Sequence, residues 1–134
     1  MSGKARIKAE DYATLLRFRT ALRRFLHWSE GEARAAGLTP AQHQLLLAIK
    51  GHRGERGPTV GELSDYLVLK HHSVVELIDR AAGAGLVSRE RDEDDHRVVH
   101  LRLTPLAETR IEELSRLHLE ELRRLSLWSL GDDA

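Results

Sequence analysis

The stretch that decides the fold reads Gly85-Leu-Val-Ser-Arg-Glu-Arg-Asp-Glu-Asp-Asp-His-Arg-Val-Val-His-Leu-Arg-Leu-Thr-Pro105. Leu101 and Leu103 alternate with polar residues as in a half-buried strand, and another short strand precedes the charged tip. Thr104 followed by proline has the pattern of a helix start. Arginines lie on both arms beside the tip. We therefore interpret the segment as a basic hairpin next to helices, an arrangement that favours nucleic-acid binding.

Several helices are predicted upstream of the hairpin. Apolar residues at spacings of three and four predict a long amphipathic helix from about Ile7 to Ala36. Thr39-Pro-Ala-Gln42 predicts the capped start of a second helix that ends near Gly51. Thr59-Val-Gly-Glu62 repeats the capping pattern and predicts a short helix that ends at Tyr66 or Leu67.

A turn at Val68-Leu-Lys70 leads into a further helix from His71 to Ala82, stopped by Gly83 or Gly85. Two short helices around so brief a turn fit a helix-turn-helix. After the hairpin, a last helix is predicted from Pro105 to about Leu130. The side chains expected to face inward are Leu45, Leu46, Leu47 and Ile49, then Val60, Leu63 and Leu67, then Val74, Leu77, Ile78 and Ala81. The last helix carries an apolar stripe formed by Leu106, Ile111, Leu114, Leu117, Leu122, Leu125 and Trp128.

Composition limits the possible classes of protein. The chain has 134 residues, as expected of about one domain, and 21 basic residues balance 21 acidic ones. Nucleic-acid binding must therefore depend on local charge. The absence of cysteine excludes disulfides and thiol chemistry. No signal peptide, membrane-spanning run or catalytic motif is visible, so we expect a cytoplasmic protein that is not an enzyme and needs no cofactor.

The order of elements resembles the MarR family of bacterial winged-helix transcription regulators. The resemblance covers roughly residues 38–113, and its most specific parts are Asp79-Arg-Ala-Ala-Gly-Ala-Gly-Leu-Val-Ser-Arg89, Arg91-Asp-Glu-Asp-Asp-His-Arg97 and Leu101-Arg-Leu-Thr104. It implies a mainly α fold with a small β-hairpin wing. Residues 1–134 would form a single domain, with dimerisation helices at about 7–36 and 105–130 around a winged helix-turn-helix core at about 38–104.

The resemblance also assigns roles to the wing. Asp95 and Arg97 occupy the family's Asp-x-Arg positions, which implies that Arg97 reaches the minor groove or the phosphate backbone while Asp95 orients its guanidinium. The alternative is that the two residues only stabilise the hairpin turn. Arg89 and Arg91 on the other arm are candidate phosphate contacts, although each could be an ordinary solvated side chain.

The helix from His71 is the expected recognition helix. Lys70 lies at its cap, His71 and His72 lie in its first turn, and Ser73 and Glu76 would face the major groove. The family often has arginine at the position of Glu76, so base preference does not carry over. Glu76 could instead pair with Arg80 one turn later.

The resemblance implies a homodimeric regulator of double-stranded DNA, most simply a repressor released by a small phenolic or anionic effector. Apolar terminal helices support a dimer independently, because a lone helix with this many apolar residues would expose a sticky patch. The chain departs from the family in offering one long C-terminal helical stretch. This departure makes the first helix more important for dimerisation, with Phe18, Leu22, Phe25 and Trp28 as candidate contacts. Trp28 and His43 are loose candidates for the effector site, and core packing is the simpler role for Trp28.

Two alternatives stay open at this point. Eight histidines, including His71 and His72 and the pair His96 and His100, raise the possibility of a metal-responsive regulator. Four residues along a strand place His96 and His100 far apart, so a shared ion would need other ligands and we assign no metal ligands. The other alternative is a winged helix used only for protein contacts, without DNA binding.

Overall fold

The computed structural model describes residues 3–125 of the chain. In this part, five helices surround one antiparallel hairpin, close to the predicted arrangement. The elements are α1 Ala9–Ala35, α2 Pro40–Gly51, α3 Val60–Leu67, α4 His71–Gly83, β1 Val87–Arg91, β2 Val99–Leu103 and α5 Pro105–Leu125. The predicted extension of the last helix to Leu130, including Trp128, lies outside the described residues.

Side-chain caps determine where the two middle helices start. At α2, the Thr39 hydroxyl accepts from the Gln42 amide at 3.1 Å, and the Gln42 side chain accepts from the Thr39 amide at 3.0 Å. Thr59 and Glu62 repeat the pair at α3, with distances of 3.2 and 2.9 Å. Both predicted capping boxes are confirmed, because the interaction spans only three residues and depends on local sequence.

The hairpin ties the helical core to a loop. Strands β1 and β2 pair with Val87 opposite Leu103 and Arg91 opposite Val99. The α2–α3 loop joins the hairpin through an isolated β-bridge, because the Leu101 amide donates to the Pro58 carbonyl at 2.9 Å and Thr59 bridges to His100. A Cβ at Gly57 would lie 1.8 Å from the Leu101 carbonyl oxygen, so only glycine allows this approach.

The core lies between α2, α4, α5 and the inner face of the hairpin. One predicted inward position is wrong, because Leu47 is 45% exposed, whereas Leu106 and Leu117 of the α5 stripe are 45% and 42% exposed in the single chain. Leu47 lies outside the narrow stripe of α2 that faces neighbouring helices, since the predicted stripe was wider than this contact requires. The fully buried large side chains include Leu45, Leu46, Leu63, Val74, Ile78, Leu101, Ile111 and Leu114.

Helix α1 is the exception to this packing. Its buried residues are Ser29 and Ala33, near its C-terminal end. Earlier in the helix, apolar side chains are exposed within the single chain, among them Tyr12, Leu15, Leu16, Phe18, Leu22 and Leu26. An apolar surface of this kind marks an interaction site. Within residues 3–125, no helix is long and apolar enough to cross a membrane.

Candidate nucleic-acid interface

Helix α4 presents a polar face opposite its buried one. Val74, Ile78 and Ala81 pack into the core and so orient the helix. This orientation leaves Lys70, His71, His72 and Glu76 exposed, with Ser73 partly buried. Of the residues predicted to read bases, Ser73 is the one that the core partly covers.

The alternative partner of Glu76 is not observed. Within the described part of the chain, no ion pair joins Glu76 to Arg80, and both side chains are exposed. The carboxylate of Glu76 is therefore available to a ligand on this face, where it could accept from the amino group of a cytosine.

The turn before α4 has an unusual backbone. Val68 lies in the left-handed region, with φ 54° and ψ 47°, and its side chain is 86% exposed. The Ser64 hydroxyl donates to the Leu69 carbonyl at 2.5 Å, and the Leu69 amide donates to the Ser64 carbonyl at 3.2 Å. The three-residue turn was predicted correctly, but its conformation was not, because β-branched residues avoid positive φ.

The wing, residues 87–103, carries the Asp95–Arg97 pair at its tip. The Arg97 guanidinium donates to both Asp95 oxygens, at 3.2 and 3.4 Å, and the Arg97 amide donates to Asp95 Oδ1 at 3.0 Å. The hydrogen bond from the Arg97 side chain holds the pKa of Asp95 below its usual value. Asp95 thus stabilises the turn and orients the guanidinium at once, while the Arg97 side chain stays 91% exposed.

The other two wing arginines that were predicted to contact DNA have partners inside the protein. Arg89 forms an ion pair with Asp79, which connects β1 to α4. Arg91 donates to the His96 carbonyl at 2.9 Å across the tip. Both side chains are exposed, but these contacts with Asp79 and with the His96 carbonyl also stabilise the wing itself. The fourth arginine of the wing, Arg102, pairs with Glu90 at 2.9 Å, so of the four wing arginines Arg97 is the most directly presented to a ligand.

Sequence reasoning missed a cluster at the base of the wing, which we call the wing hinge: Arg56, Gly57, Asp92 and His100. His100 Nδ1 lies 2.7 Å from the Gly57 carbonyl oxygen, and His100 Nε2 lies 2.8 Å from Asp92 Oδ2. Arg56 Nη1 contacts the same Asp92 oxygen at 3.0 Å. The hydrogen bond from His100 is the main reason that the pKa of Asp92 falls to about 2, and the Asp92 carboxylate is the main reason that the pKa of His100 is raised.

A second cluster, the helix junction, connects α1, α2 and α5. The Ser29 hydroxyl lies 2.7 Å from His118 Nε2, and His118 Nδ1 donates to the Leu114 carbonyl at 2.7 Å. The ring of His43 lies 4.8 Å from that of His118. His43 is 3% exposed, and burial first, then the nearby His118, lowers its pKa to about 4. His43 is therefore neutral near pH 7.

The two loose effector candidates are separated by this packing. A cavity of about 200 Å³ opens beside His43, lined by Leu26, Ser29, Glu30, Pro40, Ala41, His43 and Gln44. Trp28 is not part of this lining, and its ring lies 4.8 Å from His118 and 5.9 Å from Phe25. Trp28 and Phe25 thus pack within their own chain and are only partly exposed. His118 was missed because its partners are distant in sequence.

No set of three or more histidine, cysteine, aspartate or glutamate side chains within residues 3–125 is arranged to hold a metal ion. His96 is exposed, whereas His100 is turned into the wing hinge. These two histidines therefore do not face a common ligand in the described part of the chain.

Comparison with known proteins gives consistent matches. Residues 36–98 match the sequence model of the MarR family. Over 78 residues, the chain is 31% identical to the HTH-type transcriptional repressor MdtR of Bacillus subtilis (strain 168). This alignment covers 58% of the chain and spans about half of the relative, 48% of its length.

Solved structures share the fold. A MarR family protein from Bacillus stearothermophilus is 27% identical with a TM-score of 0.75, and the match covers 90% of this chain and 83% of that one. A MarR mutant from E. coli complexed with operator DNA has a TM-score of 0.69 at 19% identity, with coverage of 90% and 84%. The second likeness supports the fold alone.

Proposed function

Because the chain belongs to the MarR family, we propose that it is a homodimeric, sequence-specific DNA-binding regulator of transcription and acts as a repressor. The observation that carries the proposal is the pairing of two exposed polar surfaces. The free face of α4 and the Arg97 tip of the wing belong to one module, joined by the Arg89–Asp79 ion pair. One named relative is a repressor, and one structural neighbour was solved on operator DNA.

In this proposal, two copies of α4 enter successive major grooves and two wings lie over the flanking minor grooves. Half-sites would be centred about one helical turn apart. His71, His72, Ser73 and Glu76 would face base edges, with Lys70 and Arg97 on the sugar-phosphate backbone or in the minor groove. Arg89 and Arg91 would contact phosphates only to the extent that their contacts with Asp79 and with the His96 carbonyl leave their guanidinium groups free.

The dimer is proposed from the exposed apolar face of α1. Phe18 and Leu22 are 49% and 38% exposed in the single chain, and Leu117 of α5 is 42% exposed. A second copy is the partner that would cover these side chains and present two helix-turn-helix units with two-fold symmetry. Phe25 and Trp28 contribute less than the sequence suggests, because they already pack against His118.

The effector site is proposed at the cavity beside His43, between α1 and α2. Its lining contains Glu30 and a neutral His43 but no lysine or arginine. A neutral phenol therefore fits it better than an anion, because nothing in the lining would compensate a negative charge. A bound ligand would act by favouring a spacing of the two α4 helices that does not match DNA.

The direct test is selection of bound sequences from random duplex DNA, followed by light scattering of the free protein and of its complex. We expect enrichment of a pseudo-palindrome with half-sites about one turn apart and a stoichiometry of two chains per site. Neutral phenols should release this site more effectively than aromatic carboxylates. Failure to enrich any palindrome, with the dimer intact, would favour the alternative of a winged helix used for protein contacts.

A further inference from the structure

The wing is less basic than its arginines suggest. From residue 89 to 97 it contains three arginines but five acidic residues, so the interpretation as a basic hairpin is wrong in net charge. An acidic tip is repelled by phosphate unless its carboxylates are neutralised or directed away. A wing that approaches DNA therefore needs cations supplied from elsewhere in the chain.

Arg56 supplies one of these cations from the α2–α3 loop. Its guanidinium contacts Asp92 Oδ2 at 3.0 Å and Glu93 Oε2 at 3.4 Å. The Arg56 side chain is 33% exposed and that of Asp92 is 20% exposed, so water screens this contact only in part. One arginine thus forms ion pairs with the first two carboxylates of the tip and holds Asp92 at the base of the wing, while Glu93 stays 84% exposed.

His100 holds the same carboxylate from the opposite strand. Both of its ring nitrogens face oxygen acceptors, the Gly57 carbonyl and Asp92 Oδ2, and its side chain is 12% exposed. A neutral imidazole has one nitrogen without a proton and would turn a lone pair towards one of these oxygens. The arrangement fits the doubly protonated, charged ring.

Charged groups from every neighbouring element act on this ring. Asp92 of the tip and Glu62 of α3 favour its protonation, while Arg56 of the loop opposes it. Glu90 lies opposite His100 in the hairpin register, but it pairs with Arg102 at 2.9 Å. Asp92 is the dominant influence because it is the only one of these groups in direct hydrogen-bond contact with His100 among the described residues.

Asp92 connects the contacts from Arg56 and His100 to the tip of the wing. Its Oδ1 accepts from the amides of Asp94 and Asp95, at 2.8 and 3.1 Å. Asp95 in turn fixes the backbone and the guanidinium of Arg97. A continuous series of contacts therefore runs from the α2–α3 loop, through Arg56 and His100 to Asp92, and on to the exposed arginine.

We propose that Arg56 and His100 are wing-positioning residues, which hold the Arg97 tip in its DNA-binding orientation as long as His100 is charged. The inference rests on the proposed DNA-binding function and adds a pH dependence to it. Because the pKa of His100 is raised in the folded chain, the stabilisation is complete below the ordinary histidine pKa of 6.5 and is lost as pH rises through the raised value. We expect the affinity for DNA to fall over the same pH range as this stabilisation is lost.

The first experiment needs no DNA. Histidine side-chain NMR of the free protein gives the pKa of His100, and amide hydrogen exchange gives the protection of Asp94, Asp95 and Leu101. The variant Arg56→Gln should raise the pKa of His100, because it removes a like charge, yet expose the tip amides to exchange. His100→Gln should also expose them. The titration reports the charge interaction between Arg56 and His100, and the exchange reports whether that interaction holds the tip in place. An unchanged pKa together with unchanged protection overturns the proposal.

The second experiment measures DNA affinity against pH at constant ionic strength, with the duplex recovered by selection. Between about pH 6 and about pH 9, wild-type affinity should fall about tenfold more than that of His100→Gln, the scale of one charge-assisted hydrogen bond. Histidines 71 and 72 contribute equally to both proteins, so the difference isolates His100. The matched controls are His96→Gln, an exposed histidine of the tip, and Arg53→Gln, an arginine of the same loop that forms no ion pair in the described residues.

Failure of the proposed DNA-binding function can be distinguished from failure of the wing hinge proposal. If the wild type binds no duplex at any pH while Arg56→Gln still shifts the His100 titration, the wing hinge stands and the proposed function fails. If the wild type binds but its pH dependence equals that of His100→Gln, the wing hinge proposal is overturned and the function stands. Thermal melting of each variant checks that it is folded before either conclusion is drawn.

Discussion

The helix junction and the wing hinge each place a histidine at an important contact, yet their surroundings drive the two rings in opposite directions. At the junction, burial lowers the pKa of His43 to about 4. At the hinge, the Asp92 carboxylate raises the pKa of His100. The difference shows that residue type does not determine the role of a histidine. Burial at a helix interface favours the neutral ring, whereas two oxygen acceptors favour the protonated ring.

The same contrast extends to how each region is stabilised. The junction depends on apolar side chains with almost no exposure, such as Leu114 at 1%. The wing tip depends on charged side chains in water, such as Arg97 at 91%. Substitutions at the junction should therefore affect folding, and substitutions in the wing should affect binding.

The largest effect is expected for Leu114→Ala. It removes a buried side chain next to the carbonyl that holds His118, and should lower the free energy of unfolding by about 3 kcal/mol. Urea denaturation at fixed protein concentration measures this loss. Leu106→Ala changes an exposed leucine of the same helix and is the control. Equal losses of unfolding free energy in both variants would contradict the expected difference between buried and exposed side chains.

The next effect concerns the free energy of unfolding at acidic pH. His43 is neutral in the folded chain, so its contribution is present above pH 6.5 and is lost as pH falls from 6.5 towards about 4. Between these limits, wild-type protein should lose roughly 2 kcal/mol of unfolding free energy more than His43→Gln loses. Denaturation at several pH values checks the difference. His27→Gln, an exposed histidine on α1, should behave as the wild type, and a parallel loss in His43→Gln would contradict the prediction.

In the wing, Arg97→Ala should weaken DNA binding about tenfold and lower the salt dependence by about one counterion. Its unfolding free energy should stay within about 0.5 kcal/mol of the wild type, since the side chain is almost fully exposed. Anisotropy titrations at several salt concentrations, together with denaturation, measure both. Arg97→Lys keeps the charge but loses the paired geometry with Asp95 and should lie between the two; unchanged affinity in Arg97→Ala would refute the role of the tip.

The smallest effect tests the turn that lies in neither region. Asparagine tolerates positive φ better than a β-branched residue, so Val68→Asn should raise the unfolding free energy by about 1 kcal/mol. Leu69→Asn, one residue later and without positive φ, is the control. Thermal and urea denaturation measure the unfolding free energy of the two variants. A loss of stability in Val68→Asn would mean that the exposed side chain makes a contact worth more than the backbone strain.

Much of the fold could be predicted because it depends on short-range contacts. Both threonine caps and the three-residue turn before α4 are set by residues within a few positions of one another, and the two hairpin arms, which pair Val87 with Leu103 and Arg91 with Val99, are still close in sequence. In the candidate interface, the Asp95–Arg97 contact was also accessible, since only two residues separate the partners. The helix-facing stripes were less accurate, as exposed Leu47 shows, because a stripe does not reveal how much of its width a neighbour covers.

The sequence alone determined the order of elements and where the helices start, since each follows from hydrogen bonds or periodicity within a few residues, while the Asp95–Arg97 tip motif came from the resemblance to the MarR family. Only the tertiary structure decided the two histidine environments. His100 meets Gly57, 43 residues away, and the ring of His43 lies 4.8 Å from that of His118, which belongs to a different helix. The pKa of a buried or paired ring depends on the atoms that surround it, and those atoms are brought together only when the chain folds.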